Sequence, residues 1–243
     1  VADSAILLEV LAGYDPLDPS CINVPVDQYT SYLDKGIRDM VIGINEEFFF
    51  SHADHQIEAL AKSAIEKLEN MGAKIETVEF STLDNALFAM MMVMASEATT
   101  IHHENLRKRP HDFGIEVRTE LLFGETISAV DYLQAQQIRQ EIKEVDVMIG
   151  PTLPITASPI GSDYAILNGK PVKLAEHVSR YIRPTTLAGI PAMSIPCGFS
   201  DGMPVGLQVF SGPFKEGKLF QVASAIESLN LLEGKKPDLS IIK

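Results

Sequence analysis

Asp201-Gly202 stands between two runs of alternating residues, and that pairing constrains the fold more than any other stretch of the chain. Ala192, Ser194 and Pro196 lead into it, and Val205, Leu207 and Val209 lead out. Asp-Gly tolerates positive φ at both central positions of a two-residue turn, whose twist matches the strands it joins. Pro191–Phe214, reading PAMSIPCGFSDGMPVGLQVFSGPF, is therefore expected to form two strands and a tight connection. Upstream, Met40–Ile44 is a short apolar strand candidate. It is followed by a helix in which Ile57, Leu60, Ala61, Ala64, Ile65, Leu68 and Met71 keep the 3.6-residue period, ended by Gly72. Ile75, Val78 and Phe80 then suggest another strand, and strand, helix, strand in that order reads as a parallel crossover unit. Val145–Ile149 is a continuous apolar run closed by Gly150-Pro151. It suits a strand buried on both faces of an α/β sheet, whose C-terminal edge is where such folds place ligands.

The rest of the chain fits around that sheet. Ser4–Leu11 reads as helix, with Gly13 where a left-handed C-terminal cap would sit, and a loop containing Pro16, Pro19 and Pro25 follows. From Asp84 to about Lys143 the pattern is helical, with breaks near Pro110 and Gly124. A polar, Gly-containing link, Gly161–Val172, precedes another helix, and a last helix runs from about Glu216 to Leu229. With 46% hydrophobic and 22% charged residues the chain has the apolar material for a sizeable core and no signature of disorder. A net charge of -13 speaks against a nucleic-acid footprint, which needs clustered Lys and Arg. The longest apolar run, Ala86–Ala95, has ten residues, against the roughly 20 that a bilayer crossing requires. Cys21 and Cys197 are too few for a disulfide framework or metal site, and fit reduced thiols in a cytoplasmic protein.

Several clusters invite a catalytic reading and are better explained otherwise. Gly198–Gly202 spells G-x-S-x-G, but a nucleophile elbow needs a strand, a strained turn and a helix, whereas Pro204, Val205 and Leu207 announce a second strand. His52, Asp54 and His55 lie at the polar start of the Ile57 helix, where Ser51 or Asp54 would cap free amides. His102-His103-Glu104 sits in a helix beside Arg107, Lys108 and Arg109 and reads as a solvated face. Neither histidine cluster has the spacing of a third metal ligand, so no metal is expected. Met90, Met91, Met92 and Met94 could line an adaptable apolar pocket, although such a run is more often core. Neither common Gly-rich phosphate loop occurs.

Thr185–Ile190 (TTLAGI) followed by the Pro191–Phe214 segment closely resembles the C-terminal signature of the amidase signature family. Matches run back to residue 1 in the order that family uses: VADSAILLEVLAGYDPLDPS, SAIEKLENMGAKIETVEF and VDVMIGPTLPITASPIG. One departure lies between Arg139 and Val145, where the family carries a longer helical stretch with aromatic residues and this chain has only QEIKE. The resemblance implies an α/β fold, a mixed β-sheet flanked by helices, with residues 1–243 forming the C-terminal portion of a single domain. It further implies a cofactor-free hydrolase of amide C–N bonds. There a neutral Lys deprotonates a bridging cis-Ser, which activates a nucleophilic Ser. These three residues belong to an upstream Gly- and Ser-rich segment of which this chain has no trace: no Gly-Gly or Ser-Ser pair occurs in the 243 residues. The expectation is therefore a chain with no catalytic residue of its own, contributing scaffold and pocket wall. Thr152, Pro154 and Ile155, just beyond the buried strand, and Thr186, near the signature strands, are the positions expected to approach the substrate.

That family includes the glutamine-hydrolysing component of glutamyl- or aspartyl-tRNA amidotransferase, its A subunit, which passes ammonia to a partner. Its glutamine clamp uses an Arg shortly after an FG-x-E-V motif and an Asp before an Asn-Leu-Ala-Gly turn. Here FGIEV (Phe113–Val117) is followed by Arg118, Thr119 and Glu120, the Asp position is Ser179, and the Asn is Thr186. Losing paired charges disfavours a zwitterionic substrate. The preferred reading is thus a stand-alone amidase for small amides, ahead of the amidotransferase component. A third reading, from another class, is a non-catalytic module that docks onto a triad-bearing polypeptide through an exposed apolar patch or sheet edge. The expected partners are a small-molecule amide and either a second copy or the N-terminal segment, with no direct nucleic-acid or membrane binding.

Overall fold

Asn45 ends the first strand and begins the first turn of helix after it, and the sheet grows outward from this junction. Its side chain accepts from Phe48 N at 2.7 Å and donates to Val78 O at 2.8 Å, so one buried amide joins two strand ends. A computed structural model describes residues 1–18, 20–79, 83–142, 147–232 and 234. In chain order the elements are α1 (Ala2–Leu11), β1 (Val41–Ile44), α2 (Glu46–Phe49), α3 (His55–Asn70), β2 (Lys74–Thr77), α4 (Ala86–Lys108), α5 (Ile115–Gly124), α6 (Ala129–Ile142), β3 (Val147–Pro151), β4 (Tyr164–Leu167), β5 (Lys170–Lys173), α7 (Leu174–His177), α8 (Arg183–Ala188), β6 (Ala192–Ser200), β7 (Met203–Ser211) and α9 (Glu216–Ser228). Short 3-10 turns cover Tyr29–Tyr32, Leu83–Asn85 and Pro110–Asp112.

The main sheet has the order β2-β1-β3-β7-β6. β1 is parallel to β2 and β3, whereas β7 is antiparallel to both β3 and β6, so the sheet is mixed and flanked by helices as expected. β1, α3 and β2 form the predicted crossover, and α3 buries Ile57, Ala61, Ala64, Ile65 and Leu68. β3 has a neighbour on each side and every one of its residues is buried, which accounts for its unbroken apolar run. Connections leave β1 first toward β2 and then, by way of the α4–α6 helices, toward β3 on its other side. This makes the C-terminal ends of β1 and β3 a topological switch point. Packed there are Phe48, Phe49, Phe210 and Tyr181. Phe49 lies 4.9 Å from Phe48, 5.4 Å from Tyr181 and 5.9 Å from Phe210 between ring centres. Gly150 permits this, because a Cβ on it would sit 2.9 Å from Phe49 Cγ.

β6 and β7 form the expected hairpin, with Asp201 at φ 50° and Gly202 at φ 79°. Other expectations need correction. Gly161–Val172 is no mere link: it holds β4 and most of β5, an antiparallel ribbon turning at Asn168-Gly169 with φ 51° and 78°. The single helix expected after it is two short ones, α7 and α8. α1 ends through extended Ala12, whose N–H reaches Leu8 O. Gly13, at φ 154°, is not a left-handed cap. β2 stops at Thr77, although Val78 N still bonds Ile44 O at 2.8 Å; Phe80 and Val145 lie outside the described residues. The methionine run divides: Met92 is buried, but Met91 and Met94 are exposed beside Leu87 and Phe88.

Candidate functional site

Thr152 is the last residue after β3 that the sheet still holds, its N–H bonding Gly206 O of β7 at 2.8 Å. Beyond it the chain leaves the sheet and is fixed by neighbours. Pro154 O accepts from Asp54 N at 2.8 Å, and Asp54 in turn caps α3 by accepting from Gln56 N at 2.9 Å. The tip of the β4–β5 ribbon clamps the same helix start: Asn168 accepts from His55 N at 3.0 Å and donates to Ala53 O at 3.1 Å. The loop after β3 is thus enclosed by α3, the ribbon and the β6–β7 hairpin.

On the sheet side, Thr152 Oγ1 and Ser194 Oγ lie 2.6 Å apart, a hydrogen bond in which either can donate. Ser194 belongs to β6 and Thr152 follows β3, so the two hydroxyls meet over the intervening strand β7. They can do so because Gly206 lies beneath them. A Cβ there would fall 2.6 Å from Ser194 Oγ and 2.7 Å from Thr152 Oγ1. Beside the pair opens a cavity of about 180 Å³, walled by Ile57, Ile155, Thr156 and Val205 among others. A second cleft of about 360 Å³ shares Ile155, Thr156 and Ala157 with it and adds Asp54, Asn168 and Asp201. Gln208, also buried, reinforces the region by donating to Pro151 O at 3.2 Å and Tyr181 O at 3.0 Å.

Of the four expected pocket positions, the structure brings Thr152 and Ile155 together. Pro154 is buried next to them and acts through its carbonyl. Thr186 is elsewhere: it lines neither cleft and spends its hydroxyl on Ile182 O within α8, at 2.9 Å. Sequence reasoning treated Ser194 only as a strand residue and passed over Asn168 and Gln208. The Asn-Gly pair marked Asn168 as a hairpin tip, and Gln208 is the one amide in an apolar strand.

Chemically, the hydroxyl pair can orient a polar ligand. Among the described residues no histidine or lysine lines either cleft, and the ionisable groups of the larger one are Asp54, Tyr164 and Asp201. Ser200 is 3% exposed, donates to Gln56 Oε1 at 2.8 Å and leads into the Asp201-Gly202 turn, which is hairpin and not elbow geometry. The Cys197 thiol is pushed up to about 11 by burial, leaving it protonated and inert at neutral pH. Burial also drives the Tyr181 hydroxyl well above its ordinary range. The histidines are occupied locally: His103 Nδ1 lies 3.2 Å from Glu125, His55 pairs with Glu58 at 3.8 Å, and His102 stacks edge-on to Phe113. Among the described residues no group of three His, Cys, Asp or Glu could hold a metal, and no helix is long and apolar enough to cross a membrane.

The family model Amidase matches residues 1–220. An amidase of Pseudomonas putida is 31% identical over 250 residues, spanning 98% of this chain and 53% of that protein. The A subunit of glutamyl-tRNA(Gln) amidotransferase from Halothermothrix orenii is 31% identical over 272 residues, spanning 98% and 56%. Among solved structures, the corresponding amidotransferase protein of Thermotoga maritima superposes with a TM-score of 0.73 at 29% identity, covering 93% of this chain and 50% of that one. A chain from a vestigial complex related to an s-triazine catabolic enzyme gives 0.82 at 24% identity, covering 97% and 53%, a likeness of fold. The chain spans about half the length of the curated relatives it matches.

Proposed function

This chain belongs to the Amidase family, and from that premise we propose that it is the C-terminal portion of an amidase domain. In this reading it supplies scaffold and pocket wall for hydrolysis of carboxylic amides to a carboxylate and ammonia or an amine. The nucleophile and its base come from sequence outside these 243 residues. The observation that carries the reading is the make-up of the clefts at the end of β3: among the described residues they are lined by apolar side chains, hydroxyls and, in the larger cleft, an amide and two carboxylates, and by neither a histidine nor a lysine. Thr152 and Ile155 contact the substrate, Pro154 holds the loop through its carbonyl, and Thr186 lies at a more distant part of the wall.

Glutamine hydrolysis in the manner of a tRNA amidotransferase is the second reading, favoured by the 31% identity to a protein of that kind. Against it, Ser179 and Thr186 carry no charge to grip an amino acid's ends. Arg118, the cation after FGIEV, is directed at Pro110 O at 3.5 Å and faces His111. Ammonia release should be measured with the upstream half of a related amidase co-expressed. The preferred reading expects turnover of propionamide or butyramide at rates well above glutamine. Faster turnover of glutamine would favour the second reading, and no turnover of any amide would leave the chain a non-catalytic module.

A further inference from the structure

We propose that Arg183 is the receptor for a carboxylate that these 243 residues do not supply, and that an Asp or Glu side chain of the upstream polypeptide fills it. The inference goes beyond the amidase reading and rests on it for the existence of that polypeptide. Arg183 opens α8 and is 8% exposed. A guanidinium has five N–H donors to place. Here Nη2 reaches Ala175 O at 2.9 Å, and Nε is buried with no acceptor. Among the described residues no Asp or Glu lies within ion-pair distance of it. Burial, and after it the neighbouring Arg180 cation, hold the guanidinium below its ordinary value.

Arginine stays protonated at neutral pH all the same, so the chain keeps a buried positive charge with no counter-charge beside it. A buried ion pair roughly balances its own desolvation, whereas one member left alone is strongly destabilising. Arg183 is thus half of an ion pair. Arg139, at the other end of the same helix beside Gly189, has its carboxylate, Glu97 at 3.8 Å. The missing half at Arg183 is an oxyanion, and the planar fork of the guanidinium matches a carboxylate. Its source is polypeptide. With only 8% of the residue open, an acid from solution has almost no way in, while a side chain arrives as part of the surface that closes over the site. Thr186, three residues on and on the same side of α8, is exposed, so this side of the helix faces outward. The chain has 33 acidic residues and none of those described is placed here, yet it spans only about half the length of its relatives. The rest of such a protein has carboxylates to offer.

The test uses the 243-residue chain, alone and mixed with the separately expressed upstream half of a related amidase. Arg183→Met keeps the length of the side chain and removes its charge. In the chain alone this variant should melt about 2–4 °C higher than the parent. A lower melting temperature would show that the charge is already matched within the chain and would overturn the proposal. In the mixture, followed by isothermal titration, Arg183→Met should weaken association about tenfold or more. Arg183→Lys should weaken it about threefold, because a point charge loses the paired geometry. Association that ignores both substitutions, or halves that do not associate, would overturn the proposal. Exchanging chloride for acetate at constant ionic strength should leave the melting temperature of the chain alone unchanged. A rise in acetate that Arg183→Met abolishes would assign the site to a free carboxylic acid and overturn the polypeptide source. The amidase reading fails separately. A complex that depends on Arg183 and hydrolyses no amide refutes that reading alone, whereas an active complex indifferent to Arg183 refutes this one alone.

Discussion

Replacing Tyr181 by Phe should stabilise the protein. The ring is fully buried, 5.4 Å from Phe49 and 5.9 Å from Phe48, and Phe would keep all of that packing. The hydroxyl makes no hydrogen bond among the described residues. A hydroxyl taken out of water without a partner costs about 1–3 kcal/mol, so its removal should return about 1 kcal/mol or somewhat more. In a chain of this size that corresponds to a rise in Tm of roughly 2–4 °C. The pH dependence supplies an independent check. Burial raises the folded pKa above its ordinary 10.0, so above pH 10 the unfolded chain releases a proton that the folded chain keeps. Stability from this group is complete below pH 10 and is lost as pH rises toward the folded value, and Tyr181→Phe should remove that part of the alkaline loss. Urea unfolding at pH 7 and pH 10.5 measures both effects through the midpoint at constant m. Destabilisation by more than about 1 kcal/mol at pH 7 would show that the hydroxyl is paired, and would refute the argument.

Cys197 titrates on the same principle. With its thiol raised from 9.0 to about 11, stability should fall by about 2–3 kcal/mol between pH 9 and 11, and Cys197→Ala should flatten that slope in urea titrations. At pH 8 a disulfide reagent should titrate Cys21 quickly and reach Cys197 only on unfolding. Gly124→Ala should cost about 1–3 kcal/mol in chemical denaturation, because the added methyl would collide with Thr99 Oγ1 and the Ala95 carbonyl, where α5 meets α4. Asn168→Gly keeps the positive φ of the ribbon turn but removes both clamps on α3. Hydrogen exchange should then speed up at His55 and across Tyr164–Lys173, with a global loss of about 1–2 kcal/mol.

What could be read from the residues was whatever buries a regular face. α3 declared itself because its Ile57-to-Leu68 stripe packs on the sheet, and β3 because a strand covered on both sides must be apolar throughout. The β4–β5 ribbon has no such obligation. Tyr164 and Ile166 are exposed, Lys170 and Lys173 bracket the second strand, and only Asn168-Gly169 betrayed the turn. The site divides in the same way. Thr152 and Ile155 followed from the rule that ligands gather beyond strand ends. Ser194 did not, because its contact with Thr152 spans 42 residues and depends on the glycine of a strand between them. Thr186 shows the converse: closeness in sequence to the signature strands did not bring it to the clefts, since α8 turns its hydroxyl back onto its own backbone.

The central claim, that the nucleophile lies outside this chain, is tested most directly by intact-mass analysis after exposure to a serine-directed fluorophosphonate, with ammonia release followed in parallel. The account predicts an unmodified mass and no turnover for the 243-residue chain alone, with labelling on the companion polypeptide and turnover once the upstream half is present. An adduct on Ser200, Ser194 or Thr152 of the isolated chain, accompanied by ammonia release, would contradict it.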